Sequence, residues 1–225
     1  MNDHTVRPIA FIKSDFAEKF GIPRQAGIVE ALEARIVFTP EFRNPDALRG
    51  IEGFSHLWLI WQFSQAVRQE FSPTVRPPRL GGNERMGVFA TRSPFRPNSL
   101  GLSCVRLLRV EKTADEGTVL IVGGADLMDG TPIYDIKPYI PYADCKPDAV
   151  GGFAGDSGYT LKVEFDAEAE KNVPAEKLEA LRGVLANDPR PRYQSDSGRV
   201  YSMSFAGMDV KFTVQDDTLK VLGCG

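Results

Sequence analysis

The sequence is poor in the residues that build metal centres and disulfides. It has three cysteines and two histidines among 225 residues. Cys104, Cys145 and Cys224 are far apart in the chain, and no two of them have the two-residue spacing of a zinc or redox motif. This pattern argues against a disulfide framework and a cysteine zinc site, and it fits a reducing compartment such as the cytoplasm. We therefore expect a cytoplasmic protein without a bound metal.

Long apolar segments and several common enzyme motifs are also missing. The longest unbroken aliphatic and aromatic run is LWLIW (57–61), far short of the ~20 residues that span a bilayer. The N-terminal sequence MNDHTVRPIAFIK shows no basic segment followed by an apolar one, so we expect no secretory signal. The absence of Gly-x-Gly-x-x-Gly argues against a Rossmann-type fold. The absence of Gly-x-Ser-x-Gly, of a histidine pair and of metal-ligand spacing argues against a hydrolase.

Charge is distributed unevenly along a chain whose composition is ordinary for a globular protein. The net charge is −3, with 42% hydrophobic and 25% charged residues. Residues 71–109 hold seven arginines, no lysine and one acidic residue, whereas residues 111–188 hold sixteen acidic and seven basic residues. Arginine binds phosphate with two hydrogen bonds and stacks on bases, so the first segment predicts a selective RNA contact. The alternative is a solvated face that pairs with the acidic half or with a second subunit.

The sequence GVFATRSPFRPNSLGLS (87–103) carries Arg92 and Arg96 beside Pro94 and Pro97. It joins two apolar runs, MGVFA and LGLSCVRLL, that are typical of strands. Proline fixes φ and lacks a backbone donor, so SPFRPN has to leave the sheet as a loop. Rigid loops at strand ends frequently carry sites, which favours a functional loop here. A surface turn with solvated arginines is the alternative.

A second segment, ADLMDGTPIYDIKPYIPY (125–142), combines acidic and tyrosine side chains. Asp129-Gly130 is a turn signal. From Ile133 onward, apolar and polar residues alternate as in a strand, until Pro138 and Pro141 restrict it. The density of acidic and aromatic groups favours a role in a site. The alternative is an edge strand whose charges prevent aggregation.

Many short strand-like segments, separated by Gly, Pro and Asn, predict a mainly β fold. We expect a closed or nearly closed small barrel, because long amphipathic helices between strands are missing before residue 174. The candidate strands of this part are 6–13, 33–38, 54–63, 86–92, 100–110, 118–124, 133–137 and 159–165.

The C-terminal third of the sequence predicts a separate unit. Residues 143–158 are rich in Gly, Asp and Ala and are interpreted as a linker. PAEKLEALRGVLAND (174–188) has leucine and valine at helical spacing, and three strand-like segments follow it. We therefore predict a β-barrel domain at 1–145 and a small α+β domain at 146–225.

Four long blocks and one short motif resemble a known family. The blocks are PRQAGI (23–28), GFSHLWLIWQF (53–63), RPPRLGGNERMGVFATRSPFRPNSLGLS (76–103) and DLMDGTPIYDIKPYIPY (126–142), and the motif is DPRPRY (188–193). In this order, over nearly the whole chain, they resemble the TsaA-like or TrmO family of S-adenosylmethionine-dependent tRNA adenine-N6 methyltransferases. One departure is visible. The family loop usually reads RPNP before a branched residue and glycine, whereas Ser99 stands here in place of the second proline.

The resemblance implies a small β-barrel methyltransferase outside the Rossmann class, with S-adenosylmethionine as its cofactor. It implies N6-methylation of the threonylcarbamoyl-modified adenosine next to the anticodon, position 37 of tRNA. The implied partners are the tRNA anticodon stem-loop and a second copy of the chain, with the cofactor site near the subunit interface and no membrane. Methyl transfer from a sulfonium needs mainly that donor and acceptor are held in line. A non-catalytic barrel that binds RNA or a small molecule is the alternative.

Transferred by position, the family's cofactor contacts fall on four segments of this chain. Arg92 suits the carboxylate of the donor, because the guanidinium fork matches a carboxylate. Asp129 can accept a hydrogen bond from a ribose hydroxyl or an amine, although Asp126 and Asp129 can equally be turn-forming residues. The predicted cofactor-binding residues are Arg24, Gln25, Ala26, Gly27, Ser64, Gln65, Arg92, Leu102, Asp126, Leu127, Met128, Asp129 and Gly130.

Candidates for proton transfer and RNA contact come from the other polar residues. Asp135 and Lys137 are in phase on one strand beside tyrosines, and we predict Asp135 as the proton acceptor and Lys137 near RNA phosphate or the modified base. For DPRPRY, a turn that only stops the helix and docks the C-terminal unit is the alternative. The predicted RNA-binding residues are Arg76, Arg79, Arg85 and Arg96 for phosphate, Asn98 for a base edge or backbone, and Arg190, Arg192 and Tyr193 for the anticodon loop.

Overall fold

The computed structural model describes residues 4–68, 70–155, 159–190 and 198–225. Strands and short helices make up the ordered elements of these ranges. The strands are β1 (Ala10–Lys13), β2 (Glu33–Phe38), β3 (His56–Gln62), β4 (Thr74–Val75), β5 (Met86–Gly87), β6 (Leu100–Thr113), β7 (Gly117–Gly123), β8 (Pro132–Pro138), β9 (Lys162–Phe165), β10 (Val200–Phe205), β11 (Met208–Gln215) and β12 (Thr218–Cys224). The α-helices are α1 (Pro141–Asp144), α2 (Ala167–Lys171) and α3 (Ala175–Ala186), and 3-10 turns lie at Pro40–Phe42, Pro45–Leu48, Ile51–Gly53, Pro78–Leu80, Val88–Ala90 and Gly152–Ala154.

The N-terminal half forms a closed barrel in the cyclic strand order β1-β2-β7-β6-β3-β8. Each neighbouring pair is antiparallel, and β8 pairs back with β1. Alternate residues of a strand point to opposite faces, so one face of each strand fills the interior. On β3 these are Leu57, Leu59 and Trp61, which are all buried, while their neighbours on the outer face are half-exposed. The two-residue alternation from which β3 is predicted therefore follows from the burial of one of its faces.

The C-terminal unit has its own sheet, in the order β10-β11-β12-β9, with β9 parallel to β12. Its core also takes up residues from the loop between β1 and β2. The ring of Phe16 packs edge-on against Phe205 at 5.6 Å between centroids. Beside it, the ammonium of Lys177 on α3 pairs with the carboxylate of Asp15 at 2.6 Å. A mainly β chain with a separate C-terminal α+β unit is thus confirmed.

The predicted strand over 86–92 is wrong. Only Met86–Gly87 forms a strand, and it pairs with β4 in a two-stranded sheet. Val88–Ala90 is a 3-10 turn whose Val88 side chain is buried. The guanidinium of Arg96 donates to the carbonyls of Thr91, at 2.7 Å, and Val88, at 3.3 Å. These carbonyls are satisfied by a side chain, so the segment has no need of a strand partner.

None of the helices in the described part of the chain has the length and hydrophobicity of a membrane span.

Candidate active site

A cavity of about 530 Å³ lies where four segments meet: the loop after β1, the end of β3, the loop leading into β6, and the turn before β8. This volume is within the range of small-molecule sites. The strands β3 and β6 supply the apolar side chains of Trp61, Leu100 and Leu102, and the loops supply most of the polar groups. Predicted cofactor-binding residues that line the cavity are Arg24, Gln25, Ser64, Gln65, Arg92, Leu102, Asp126 and Met128.

The remaining predicted cofactor-binding residues are not among the described residues that line the cavity. They take part in contacts that hold the surrounding backbone together. Gly27 donates its N–H to the carbonyl of Gly124 at 2.8 Å. Asp129 accepts from the N–H of Ser14 at 3.0 Å, and the Ser14 hydroxyl donates to the carbonyl of Leu127 at 2.8 Å. These bonds fasten the turn before β8 to the loop after β1. The same set also includes Ala26, which borders Asp126, and Gly130, which donates its N–H to the carbonyl of Ile12.

The floor of the cavity is a chain of hydrogen bonds between three side chains. The indole N–H of Trp61 donates to Ser103 Oγ at 2.9 Å, and the Ser103 hydroxyl donates to Asp126 Oδ1 at 2.6 Å. Ser103 is buried, while Asp126 is only partly covered and reaches the cavity. Burial raises the pKa of Asp126, against the opposing effects of the Ser103 hydrogen bond, the Ala26 backbone and the positive charge of Arg92.

Apolar and aromatic side chains also line the cavity. Trp61 and Phe63 lie with their ring centroids 4.2 Å apart, and Leu100 and Leu102 of β6 line it as well. The Arg92 guanidinium, which also lines the cavity, donates to Gln25 Oε1. The cavity therefore offers a cation, a carboxylate and apolar surface within one volume.

The loop that carries Arg92 and Arg96 is closed by an unusual backbone conformation at Ser99. This residue is buried and has φ of 47°, in the left-handed region. Its N–H donates to the carbonyl of Arg96 at 3.2 Å, and its carbonyl accepts from Phe63 at 2.9 Å. Proline holds φ near −65° and has no N–H, so it cannot make this turn. The serine in place of the family's second proline therefore matches a turn that proline cannot form.

A larger cleft of about 2210 Å³ lies between the arginine-rich segment and the C-terminal unit. The structure brings Arg76, Arg85 and Arg190 together along it, as the sequence predicts for an RNA surface. Arg190 is held by two hydrogen bonds to Asp188, at 2.9 and 3.0 Å. The cleft also takes in Arg24, Arg68 and Arg92.

Other predicted RNA-binding residues are placed differently. Arg96 lines the small cavity, with one guanidinium nitrogen engaged by loop carbonyls. Asn98 is exposed on the loop. Arg79 lies in the 3-10 turn Pro78–Leu80, and its side chain is outside what is described, as are the residues Arg192 and Tyr193.

The small cavity lies next to the larger cleft. The two share one wall, built from the loop after β1 and from the loop leading into β6. The shared residues are Ile22, Pro23, Arg24, Gln25, Thr91, Arg92, Pro94 and Phe95. A ligand in the cavity and a chain lying in the cleft would therefore meet at this wall.

Comparison with known proteins shows which family this chain belongs to. The model of the tRNA-methyltransferase O N-terminal domain matches residues 11–145, and that of the TrmO C-terminal domain matches residues 158–225. The chain belongs to the TrmO family.

Members of the TrmO family match this chain over nearly its full length. It is 42% identical to the tRNA (adenine(37)-N6)-methyltransferase of Escherichia coli K12, covering 98% of this chain and 97% of that protein. It is 41% identical to a putative S-adenosylmethionine-dependent methyltransferase of Pseudomonas aeruginosa, covering 97% and 96%. A crystal structure of TrmO from Pseudomonas aeruginosa has a TM-score of 0.81 at 35% identity and covers 100% of both chains.

The two predicted catalytic residues lie away from the cavity of this TrmO-family chain. Asp135 and Lys137 form an ion pair of 3.0 Å on β8, with their side chains 46% and 62% exposed. In strand register they neighbour Ile60 and Trp58 on the outer face of the barrel. Neither is among the residues that line the cavity or the cleft in the described ranges. Within those ranges no three His, Cys, Asp or Glu side chains gather as a metal site requires.

Sequence analysis missed Trp61 and Ser103 as members of the site. A serine in the inward phase of β6, between Gly101 and Val105, is the signal that could have found the pair. A buried hydroxyl needs a partner, and a nearby tryptophan N–H and a carboxylate are the groups that satisfy it.

Proposed function

We propose that this chain transfers the methyl group of S-adenosylmethionine to N6 of adenosine 37 in tRNA. Its preferred substrate in this proposal is the threonylcarbamoyl-modified adenosine. The observation that carries the proposal is a cofactor-sized cavity that shares one wall with an arginine-lined cleft. It is supported by relatives about 42% identical that are named tRNA (adenine(37)-N6)-methyltransferases or S-adenosylmethionine-dependent methyltransferases.

The groups of the cavity fit the donor. S-adenosylmethionine, when bound, supplies an electrophilic methyl group on a sulfonium. Arg92 would hold its carboxylate, and Asp126 would face its cationic or hydroxyl groups. The aromatic and leucine wall would pack against its adenine and keep water from the methyl group. Each charged group has a hydrogen-bond partner before the ligand enters: Gln25 for Arg92 and Ser103 for Asp126.

The cleft suits a single-stranded RNA loop. Phosphates are bound by arginine forks, and the bases of an open loop are free to leave their stack. Arg76, Arg85 and Arg190 line the cleft from both units of the chain, so a loop between them would touch both. The carboxylate of a threonylcarbamoyl group would meet Arg24 or Arg68 near the shared wall. Because tRNA is the substrate, we place the protein in the cytoplasm.

The proposal includes a homodimer whose interface covers the cavity. Leu100 and Leu102 form part of the cavity wall, yet they are 40% and 55% exposed on the outer face of the barrel. Exposed apolar surface beside a site marks a place where another surface docks. Asp135 lies in the same row across the strands, because Ile60 pairs with both Leu102 and Asp135. In the dimer, an Asp135 side chain at this interface would approach the target base at the cavity and act as our proposed proton acceptor.

Two measurements test the proposal. Calorimetry should show saturable binding of S-adenosylmethionine and of its demethylated product. Transfer of labelled methyl should then be seen to tRNA with adenosine at position 37, and should be faster when that adenosine carries threonylcarbamoyl. Arg92→Gln should weaken cofactor binding by roughly tenfold or more, while Arg49→Gln, at an exposed arginine of the 3-10 region, should not. RNA binding without cofactor binding or transfer would leave the non-catalytic barrel as the function.

A further inference from the structure

Phe95 lies at the boundary between the small cavity and the large cleft. Among the described residues it is the one aromatic side chain that lines both the small cavity and the large cleft. Its side chain is 37% exposed, although a phenylalanine without a partner would normally be buried. The ring is therefore accessible at the wall that the cavity and the cleft share.

One face of the Phe95 ring already holds a flat cation. The guanidinium carbon of Arg68 lies 3.6 Å from the ring centroid. This is the distance at which planar groups stack, and both guanidinium groups and bases stack on aromatic rings. The covering group is an exposed arginine and not a core residue. A purine can take its place without disturbing the packed interior.

Hydrogen bonds hold the backbone of the loop that carries this ring. The N–H of Phe95 donates to Ser93 Oγ at 3.2 Å, and the N–H of Arg96 donates to the carbonyl of Pro94 at 2.9 Å. Pro94 fixes φ on one side of Phe95, and the Arg96 side chain ties the loop to Val88 and Thr91 on the other. A ring presented by a rigid loop gives its contact energy to the ligand without a large cost of ordering.

We propose that Phe95 is the stacking platform for the target purine. The adenine leaves the stack of the RNA loop and lies on the Phe95 ring, in the place of the Arg68 guanidinium, at the mouth of the cavity. Enzymes that modify a base have to take it out of its stack, and aromatic side chains receive bases from single strands. The surrounding arginines favour RNA over an apolar protein surface as the occupant. This inference rests on the proposed function for the identity of the base.

The test is a binding measurement that does not depend on methyl transfer. An anticodon stem-loop with 2-aminopurine at position 37 reports stacking through its fluorescence. Phe95→Leu should remove the fluorescence change and weaken binding of the stem-loop by roughly tenfold to a hundredfold, whereas Phe95→Tyr should keep both. Phe54→Leu is the matched control, because Phe54 is also 37% exposed but lines neither volume in the described residues. Calorimetry should show unchanged S-adenosylmethionine affinity for all three variants.

The outcomes separate the alternatives. If Phe95→Leu weakens cofactor binding and leaves the fluorescence change intact, the ring belongs to the cofactor wall and the inference is wrong. If it shifts the dimer equilibrium in sedimentation with the fluorescence change intact, the ring belongs to a subunit interface and the inference is equally wrong. A parent protein that transfers no methyl but shows the Phe95-dependent change would refute the proposed function and leave the stacking contact in place.

Discussion

The indole of Trp61 fills the space that a side chain at Gly101 would need. The two residues are register partners on β3 and β6, and a Cβ on Gly101 would lie within 3.0 Å of three indole atoms. From this position the indole N–H reaches Ser103 Oγ. Trp61 lines the cavity, and Ser103 lies behind it as part of the floor. Gly101→Ala should displace the indole, lower stability by about 1–3 kcal/mol and Tm by roughly 2–10 °C, and weaken S-adenosylmethionine binding. Thermal denaturation and calorimetry measure the two effects.

Gly223→Ala is the matched control for that substitution. Gly223 lies in β12, and a Cβ there meets nothing within 4 Å. We expect no loss of stability and unchanged cofactor affinity. An unchanged cofactor affinity in Gly101→Ala would show that the indole does not shape the binding site.

Cofactor affinity should depend on the ionisation of Asp126. Burial raises the pKa of this carboxyl group. Since the charged form attracts a cationic ligand, affinity should fall as pH drops through the raised pKa, which is a higher pH than an ordinary aspartate requires. Asp126→Asn should weaken binding at neutral pH by roughly tenfold or more and flatten the acid limb of the profile. Calorimetry across a pH series checks both, and an unchanged affinity would contradict the role of the charge.

Ionisation of Asp126 should also affect stability, but in the opposite direction to its effect on cofactor affinity. The charged form should make the folded chain less stable. A raised pKa means that the folded chain binds this proton more readily than the unfolded chain does. The stabilising effect is therefore present at low pH and lost as pH rises through the raised pKa. Asn at position 126 can still accept from Ser103 but carries no charge. Asp126→Asn should thus have a higher Tm than the parent at neutral pH, and the gain should shrink in acid.

The barrel could be predicted because strands such as β1, β2 and β3 alternate between a buried and a more exposed face. β2 has the predicted bounds, and β3 is shorter by two residues at the N-terminal end and one at the C-terminal end. The helix predicted at 174–188 is observed at Ala175–Ala186. In each case a local period of two or 3.6 residues reflects which face is covered.

The rest of the site depends on contacts between distant residues, which local patterns do not contain. Residues 86–92 do not form one continuous strand, and two of their carbonyls accept hydrogen bonds from the side chain of Arg96, which follows later in the chain. The pairing of Trp61 with Ser103 depends on strand register. The phase of β8 correctly puts Asp135 and Lys137 on one face, but phase alone does not tell how far that face lies from the cavity.

The left-handed turn at Ser99 should not tolerate the family's proline. Proline cannot reach φ of 47° and would remove the N–H bond to Arg96. Ser99→Pro should lower the free energy of unfolding by at least about 1 kcal/mol, measured by urea denaturation. Ser99→Gly, which adopts this φ freely, should remain within about 1 kcal/mol of the parent. A stable proline variant would show that the loop has a second conformation.

The arginines of the cleft should control the salt dependence of RNA binding. Arg76 is exposed, and Arg85 is held at the cleft by a 3.1 Å hydrogen bond to Thr74 Oγ1. Each phosphate contact to single-stranded RNA contributes about 0.7 to the slope of log K against log salt. The double variant Arg76→Gln, Arg85→Gln should therefore bind more weakly and lower the slope by about 1.4. Arg49→Gln, outside the cleft, should leave the slope unchanged.

Asp135 is the residue whose substitution should separate catalysis from binding. Its ion pair with Lys137 is exposed on both sides, so breaking it should change stability by less than about 1 kcal/mol. If Asp135 takes the proton from N6, Asp135→Asn should lower the single-turnover rate on the order of 10²-fold at an unchanged tRNA affinity. Asp46→Asn, at an exposed aspartate that pairs with Arg49, should have no effect on the rate. A full rate in Asp135→Asn would assign the proton to another group, and Asp126, the carboxylate that the structure places in the cavity, would be the next to test.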